Sequence, residues 1–179
     1  MVPVLKLLNP STNLHEPLCG RNGAMRVELY DASGNPLTVD CMYETQSGNL
    51  VTTVPAGSTI VVTQVNQACD LESLSMGTDY NLMALRVENR RADGTYEQGM
   101  RLVGPSGQWT NPVRPKDLHD LGGENDFWRE FVYDDTNKKF ALGMKRQSKF
   151  GAGIRIRLYN QDTVDHNAAV TWMISVFRR

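Results

Sequence analysis

The sequence predicts an all-β protein built as an antiparallel β-sandwich. Helical periodicity is almost absent from its 179 residues, and short runs that are β-branched or alternate apolar with polar residues recur along the chain. Clusters of Gly, Asn, Asp and Pro separate these runs at regular intervals, which is typical of a sandwich or a barrel. With 40% hydrophobic and 22% charged residues, the chain has enough apolar material for a packed core.

The individual strands are predicted from local patterns. Residues 25–43 alternate on either side of the turn cluster Asp31–Pro36, which indicates a hairpin. Ser58–Val65 is the most β-prone run of the chain, and the only helix candidates are Cys69–Met76 and Pro115–Leu121. The other predicted strands are Asn49–Val54, Leu82–Glu88, Thr95–Val103, Phe127–Tyr133, Lys139–Met144, Gly153–Tyr159 and Ala168–Phe177. The total is about eight to ten strands.

Two stretches fall outside a minimal sandwich. Residues 1–23 contain three prolines and no β alternation, so we expect an N-terminal arm followed by one sandwich domain over residues 24–179. Gly104–Asp126 is rich in Pro and Gly and has Trp109 in its middle. A loop of this length either has a functional contact or folds back over one end of the sandwich.

The cysteines and the N-terminus predict a protein made in a cytosol. Cys19, Cys41 and Cys69 are far apart and form no C-x-x-C pair, so we expect buried thiols rather than disulfides or metal ligands. Pro3 and Lys6 interrupt the apolar N-terminal run, which also lacks a cleavage site for a signal peptide. No window approaches the roughly 18 apolar residues of a transmembrane segment.

No catalytic signature is present. The histidines lie in the arm, the long loop and the last turn: His15, His119 and His166. No G-x-S-x-G motif occurs, and Asp117–Asp120 offers too few ligands for zinc or calcium. Loop carboxylates that could form a glycosidase-like pair have no matched partner cluster: Glu124, Asp126 and Glu130. The sequence therefore predicts no enzyme, no metal and no cofactor.

Charge is unevenly placed along the chain. Residues 138–161 carry a charge of +7, so the rest of the chain carries −8 to reach the total of −1. Strand alternation places Arg155 and Arg157 on the face opposite the neighbouring isoleucines. Beside the lysine-rich hairpin they are expected to form a positive patch for an acidic protein surface. Anionic lipid, nucleic acid and simple pairing with nearby carboxylates are the alternatives.

The last third of the chain resembles the single jelly-roll virion proteins, the capsid or capsid-associated structural proteins of bacteriophages. The resemblance rests on Gly153–Asn160, the polar turn Gln161–Asn167 and the final strand Ala168–Phe177. It implies eight antiparallel strands in two four-stranded sheets, a non-enzymatic shell subunit, and contacts between subunits through the arm and long loops. The arm contains few basic residues, so direct binding of nucleic acid is not expected.

The predicted function is that of a structural virion protein, a capsid or capsid-decorating subunit. It would form homo-oligomers and contact other virion proteins through its arm and loops. Trp109 is the expected interface anchor, because tryptophan is enriched at binding hot spots. The full set of candidate interface residues is Leu5, Leu8, Trp109, Pro112, Arg114, Arg155 and Arg157. A carbohydrate- or receptor-binding module, with Trp109 and Tyr96 as a stacking platform, is the alternative; an enzyme using loop carboxylates is a third hypothesis.

Overall fold

The chain divides into two compact units, Met1–Asp40 and Cys41–Arg179. The computed structural model describes residues 43–100 and 112–177 with their side chains, and elsewhere only the backbone of short strands. The division after residue 40 lies further along the chain than the predicted boundary after residue 23.

The first unit contains two short hairpins. Strand β1 (Lys6–Asn9) pairs antiparallel with β2 (Leu14–Pro17), within the stretch predicted to be an arm without strands. Strand β3 (Leu29–Tyr30) pairs antiparallel with β4 (Pro36–Leu37), which confirms the centre of the hairpin predicted over residues 25–43.

The second unit contains ten strands in two antiparallel sheets, as the sequence predicts. The six-stranded sheet consists of β5 (Tyr43–Val54), β7 (Cys69–Thr78), β12 (Trp128–Asp134), β13 (Lys139–Met144), β14 (Ser148–Phe150) and β16 (His166–Phe177). The four-stranded sheet consists of β6 (Thr59–Val65), β8 (Ala84–Arg90), β9 (Tyr96–Gln98) and β15 (Ile154–Tyr159). The connection after β9 includes a small pair, β10 (Leu102–Val103) and β11 (Trp109–Thr110), and the helix α1 (Pro115–Asp120).

The strand order is that of a jelly roll. The large sheet runs β12-β13-β7-β16-β5, with β14 also paired to β7, and the small sheet runs β6-β15-β8-β9. When β5, β6, β7, β8, β9, β13, β15 and β16 are numbered 1 to 8, the sheets read 6-3-8-1 and 2-7-4-5. This is the order of two interlocked Greek keys. Strands β12 and β14 are additions to the two four-stranded sheets that the resemblance implies.

The inward positions of both sheets form one hydrophobic core. Ile154, Ile156 and Leu158 in β15 are fully buried, as the predicted alternation requires. Trp128 is also fully buried, and Trp172 packs against the same core.

One helix prediction is wrong and the other is confirmed. Cys69–Met76 lies within strand β7. A register shift falls between Leu71 and Leu74, so these two buried residues are three positions apart, which is a helical spacing, instead of two. The β-bulge at this shift explains why the pattern was misread. Helix α1 begins at Pro115, a residue suited to the first helical turn because the missing N–H has no partner to lose there.

Candidate functional site

The outward face of the six-stranded sheet is uncharged across its described centre and has Arg129 at one border, where the guanidinium lies 5.1 Å from the centre of the Phe131 ring. The register places Val51, Ala169, Gly77, Ala141 and Val132 side by side on five neighbouring strands. The rows next to them are Asn49, Thr171, Ser75 and Gly143, and then Ser47, Met173 and Ser73. We call these residues, with Phe131, the uncharged face; Arg129, which pairs with Gly143 on β12, borders it. Because most of its central side chains are small, this surface is flat.

Large apolar side chains stand at the borders of the uncharged face. Val51 is 73% exposed, Phe131 50%, Val132 45% and Met173 42%. The Phe131 ring lies over Gly143, where an added Cβ would approach it to 2.5 Å, so glycine allows the ring to lie against the sheet. Several exposed apolar groups on one surface are unusual in a monomer, whereas exposed apolar groups that stand singly are ordinary.

Strand β5 is the edge of the same sheet. Among the described strands it pairs only with β16, over its full 12 residues, and Glu44 is its single charged residue. A long, nearly uncharged edge presents unpaired backbone groups to a further strand. In the described part of the chain, the edge and the uncharged face form a continuous surface with charges only at its ends, Glu44 on β5 and Arg129 on β12.

The outward face of the four-stranded sheet is different, because arginines surround a buried glutamate there. Glu88 has a side chain only 8% exposed, and it accepts hydrogen bonds from Arg155 Nε at 2.7 Å and from Arg157 Nη2. Arg86 Nη1 lies 3.9 Å from the same carboxylate. The Arg155 guanidinium also lies 3.8 Å from the centre of the Tyr96 ring, a cation–π contact. We call Arg86, Glu88, Arg155 and Arg157 the arginine face.

The predicted continuous positive patch is wrong in its layout. Arg155 and Arg157 do lie outward, but the lysine-rich hairpin belongs to the other sheet, since β13 and β15 are not neighbours. Lys138 pairs with Asp135, and Lys145 pairs with Glu124. A run of basic residues in the sequence is therefore divided between two sheets and partly neutralised by nearby carboxylates.

A cluster of ionisable groups joins the loops at one end of the sandwich. His166 Nδ1 lies 3.2 Å from Asp79 Oδ1, and His166 Nε2 lies 2.9 Å from Asp162 Oδ2. The hydrogen bond with His166 lowers the pKa of Asp162 below its ordinary value. Tyr80 stacks on the imidazole with ring centres 4.1 Å apart. A cleft of about 320 Å³ lies beside this cluster and also touches Lys138.

Buried Asn160 holds the same loops together. Its side-chain amide donates to the carbonyl oxygens of Val54 at 3.0 Å and Val164 at 2.8 Å, and its Oδ1 accepts from the Asp162 N–H at 2.9 Å. The polar turn of the sequence is thereby tied to the end of β5.

The candidate ligands and carboxylates of the long loop have local partners. His119 Nδ1 lies 3.0 Å from Glu130 Oε2, and its ring stacks on Tyr133 at 3.8 Å. Burial raises the pKa of Asp117, which lies 3.6 Å from Arg114 Nη1. Within the described ranges, no group of three or more His, Cys, Asp or Glu residues is placed to hold a metal ion.

The predicted interface residues are not brought to one place by the described structure. Pro112 is buried, and Arg114 is half-buried and donates to Gln161 Oε1 at 2.5 Å. Leu5 and the side chains of Leu8 and Trp109 lie outside the described residues. Arg155 and Arg157 are on the arginine face, and an interface role for the whole set stays a prediction.

Sequence reasoning missed the uncharged face and the core of the arginine face. The first had a readable signal: Ser73, Ser75 and Gly77 alternate with buried residues and carry no charge at solvent-facing positions. The second had none, because Glu88 is 67 residues from Arg155 along the chain.

No family model matches the chain, and no curated protein matches it in sequence. In the part of the chain that the structure describes, no helix is long and apolar enough to span a membrane.

Proposed function

We propose that this chain is a structural subunit that assembles with copies of itself, as a capsid or capsid-decorating protein of a virion. The observation that carries the proposal is the uncharged face, with its apolar borders and with β5 as its edge among the described strands.

The physical argument concerns the cost of desolvating charge. A charged partner surface placed on the uncharged face would lose its water without gaining an opposite charge. A second copy related by two-fold symmetry presents the same uncharged face and avoids that cost. Depletion of charge at the centre and aromatic or Met side chains such as Phe131 and Met173 are typical of interface cores.

The virion context is supported by the jelly-roll strand order together with the resemblance of the C-terminal strands. In the described structure β15 and β16 lie in different sheets, as successive closing strands of a jelly roll do. Fold alone does not define function, so assembly has to be measured.

The test introduces a charge into the uncharged face. Val51→Lys should weaken self-association by about a hundredfold or more, because the ammonium would be desolvated without a partner. Val164→Lys is the matched control, since Val164 is also 54% exposed and lies in the loop between β15 and β16, outside the uncharged face. Sedimentation velocity and light scattering would measure the assembly state, and circular dichroism would verify the fold. A wild-type chain that stays monomeric at high concentration, or equal effects of both variants, would contradict the proposal.

A second candidate, a carbohydrate-binding module, is favoured by the cleft beside Tyr80 and His166. Its aromatic and carboxylate lining suits a small polar ligand. At Tyr96, the other residue of the predicted stacking platform that the structure describes, Arg155 covers one face of the ring. Binding on a glycan array that Tyr80→Ala abolishes, in a chain that remains monomeric, would favour this function over assembly.

A further inference from the structure

The arginine face contains more positive charge and more hydrogen-bond donors than its own carboxylate can satisfy. Three guanidinium groups meet one Glu88, which leaves a net charge of +2. Among the described residues the Arg86 side chain makes no hydrogen bond, and the buried Nε atoms of Arg86 and Arg157 have no hydrogen-bond partner there. The buried amide nitrogen of Gln98, the residue opposite Glu88 on β9, also has none.

The strand register makes this arrangement unfavourable for the isolated chain. Arg86 and Arg157 stand directly opposite each other on β8 and β15. Like charges in directly opposed positions destabilise a sheet, and unsatisfied buried donors are costly as well. A glutamine at position 86 would relieve the repulsion, so folding alone does not account for the arginine.

We propose that the arginine face binds the carboxylates of an extended acidic segment of another protein. The side chains of Arg86, Arg155 and Arg157 are 34%, 24% and 22% exposed, so their outer edges can be reached. Arg155 and Arg157 are two residues apart on one strand, a separation of about 6.8 Å. An extended segment with acidic residues at alternate positions has the same repeat, and guanidinium groups pair with carboxylates through two parallel hydrogen bonds.

A protein segment fits this surface better than a nucleic acid does. Nucleic-acid binding without base recognition depends on several phosphate contacts along a basic surface. Here the residues that flank the arginines on β6 are Gln64 and Val61, which are uncharged. A net charge of +2 on one small area suits one or two carboxylates.

The test uses a fluorescently labelled peptide in which Asp and Ser alternate. The full chain is added to this peptide at low salt, and fluorescence anisotropy measures binding. We expect saturable binding that an Asn-Ser peptide does not show. Arg86→Gln should weaken binding about tenfold, the loss of one charged pair, while the melting temperature stays the same or rises. Arg91→Gln is the matched control, because Arg91 is exposed and pairs with Glu97 away from the arginine face. Its affinity should stay within about twofold of wild type.

Three results would overturn the inference. The first is no peptide binding, and the second is an equal loss with Arg86→Gln and Arg91→Gln, which would mean attraction by net charge alone. The third is tighter binding of an oligothymidylate that Arg86→Gln weakens, which would assign the surface to nucleic acid. Because the uncharged face is on the other sheet, a monomeric Val51→Lys variant should still bind the peptide, so this inference and the proposed assembly fail separately.

Discussion

Replacing Glu88 by glutamine should destabilise the sandwich strongly, although the two side chains have nearly the same shape. The substitution leaves Arg86, Arg155 and Arg157 next to one another without a negative charge. Removal of one partner from a buried ion pair costs about 3–5 kcal/mol. Because these arginines remain 22–34% exposed, water screens part of their repulsion, and we expect a loss of about 2–3 kcal/mol.

Urea denaturation followed by tryptophan fluorescence would measure this loss. Glu124→Gln is the control, since Glu124 forms an exposed pair with Lys145 and its loss should cost less than about 1 kcal/mol. The double variant Glu88→Gln/Arg86→Gln should recover about 0.5–1 kcal/mol relative to Glu88→Gln alone, because two guanidinium groups repel less than three. A Glu88→Gln cost equal to that of the control, or further destabilisation in the double variant, would refute the reasoning.

Two further predictions follow from the pKa shifts. Burial raises the pKa of Cys69 to about 11, with the charge of Asp70 adding to the effect, so few thiolates exist at pH 8. This can be measured in a variant with Cys19→Ser and Cys41→Ser, in which Cys69 is the remaining cysteine. At pH 8, a thiol reagent should react with Cys69 at least about a hundredfold more slowly in the native chain than in the urea-unfolded chain. Equal rates would mean that the thiol is accessible. The lowered pKa of Asp162 stabilises the fold above the ordinary value of 3.8, and this contribution is lost as the pH falls through the folded-state pKa. Asp162→Asn should therefore destabilise the protein at pH 7, and this loss should shrink as the pH falls below 3.8, as urea titrations across that range would show; a loss that does not change with pH would argue against this assignment.

The strands could be predicted because their signal is local. Lys139–Met144 has the bounds expected for it, and Ile154–Tyr159 differs by one residue at its start. Period-two alternation depends only on which side of the backbone each side chain leaves, so it is readable without knowledge of any partner. The alternation gives the wrong prediction at Cys69–Met76, because a bulge in β7 interrupts it there.

The candidate sites were harder to predict because they depend on pairing between distant strands. The outward positions of Arg155 and Arg157 followed from alternation, but their shared contact with Glu88 required β15 to lie beside β8. Similarly, Val51 and Ala169 form one row of the uncharged face only because β5 and β16 are neighbours. Pairing of this kind is chosen by the packing of the whole core, and no local pattern encodes it.

By itself, the amino-acid sequence determined the all-β class, the position of most strands and, for the alternating strands, the side that meets solvent. These properties follow from alternation and turn residues, which act over a few residues. Only the tertiary structure decided which strands became neighbours, and so placed the lysine-rich hairpin and the Arg155–Arg157 pair in different sheets. The physical reason is that strand order minimises the exposure of one common core, a property of all strands together.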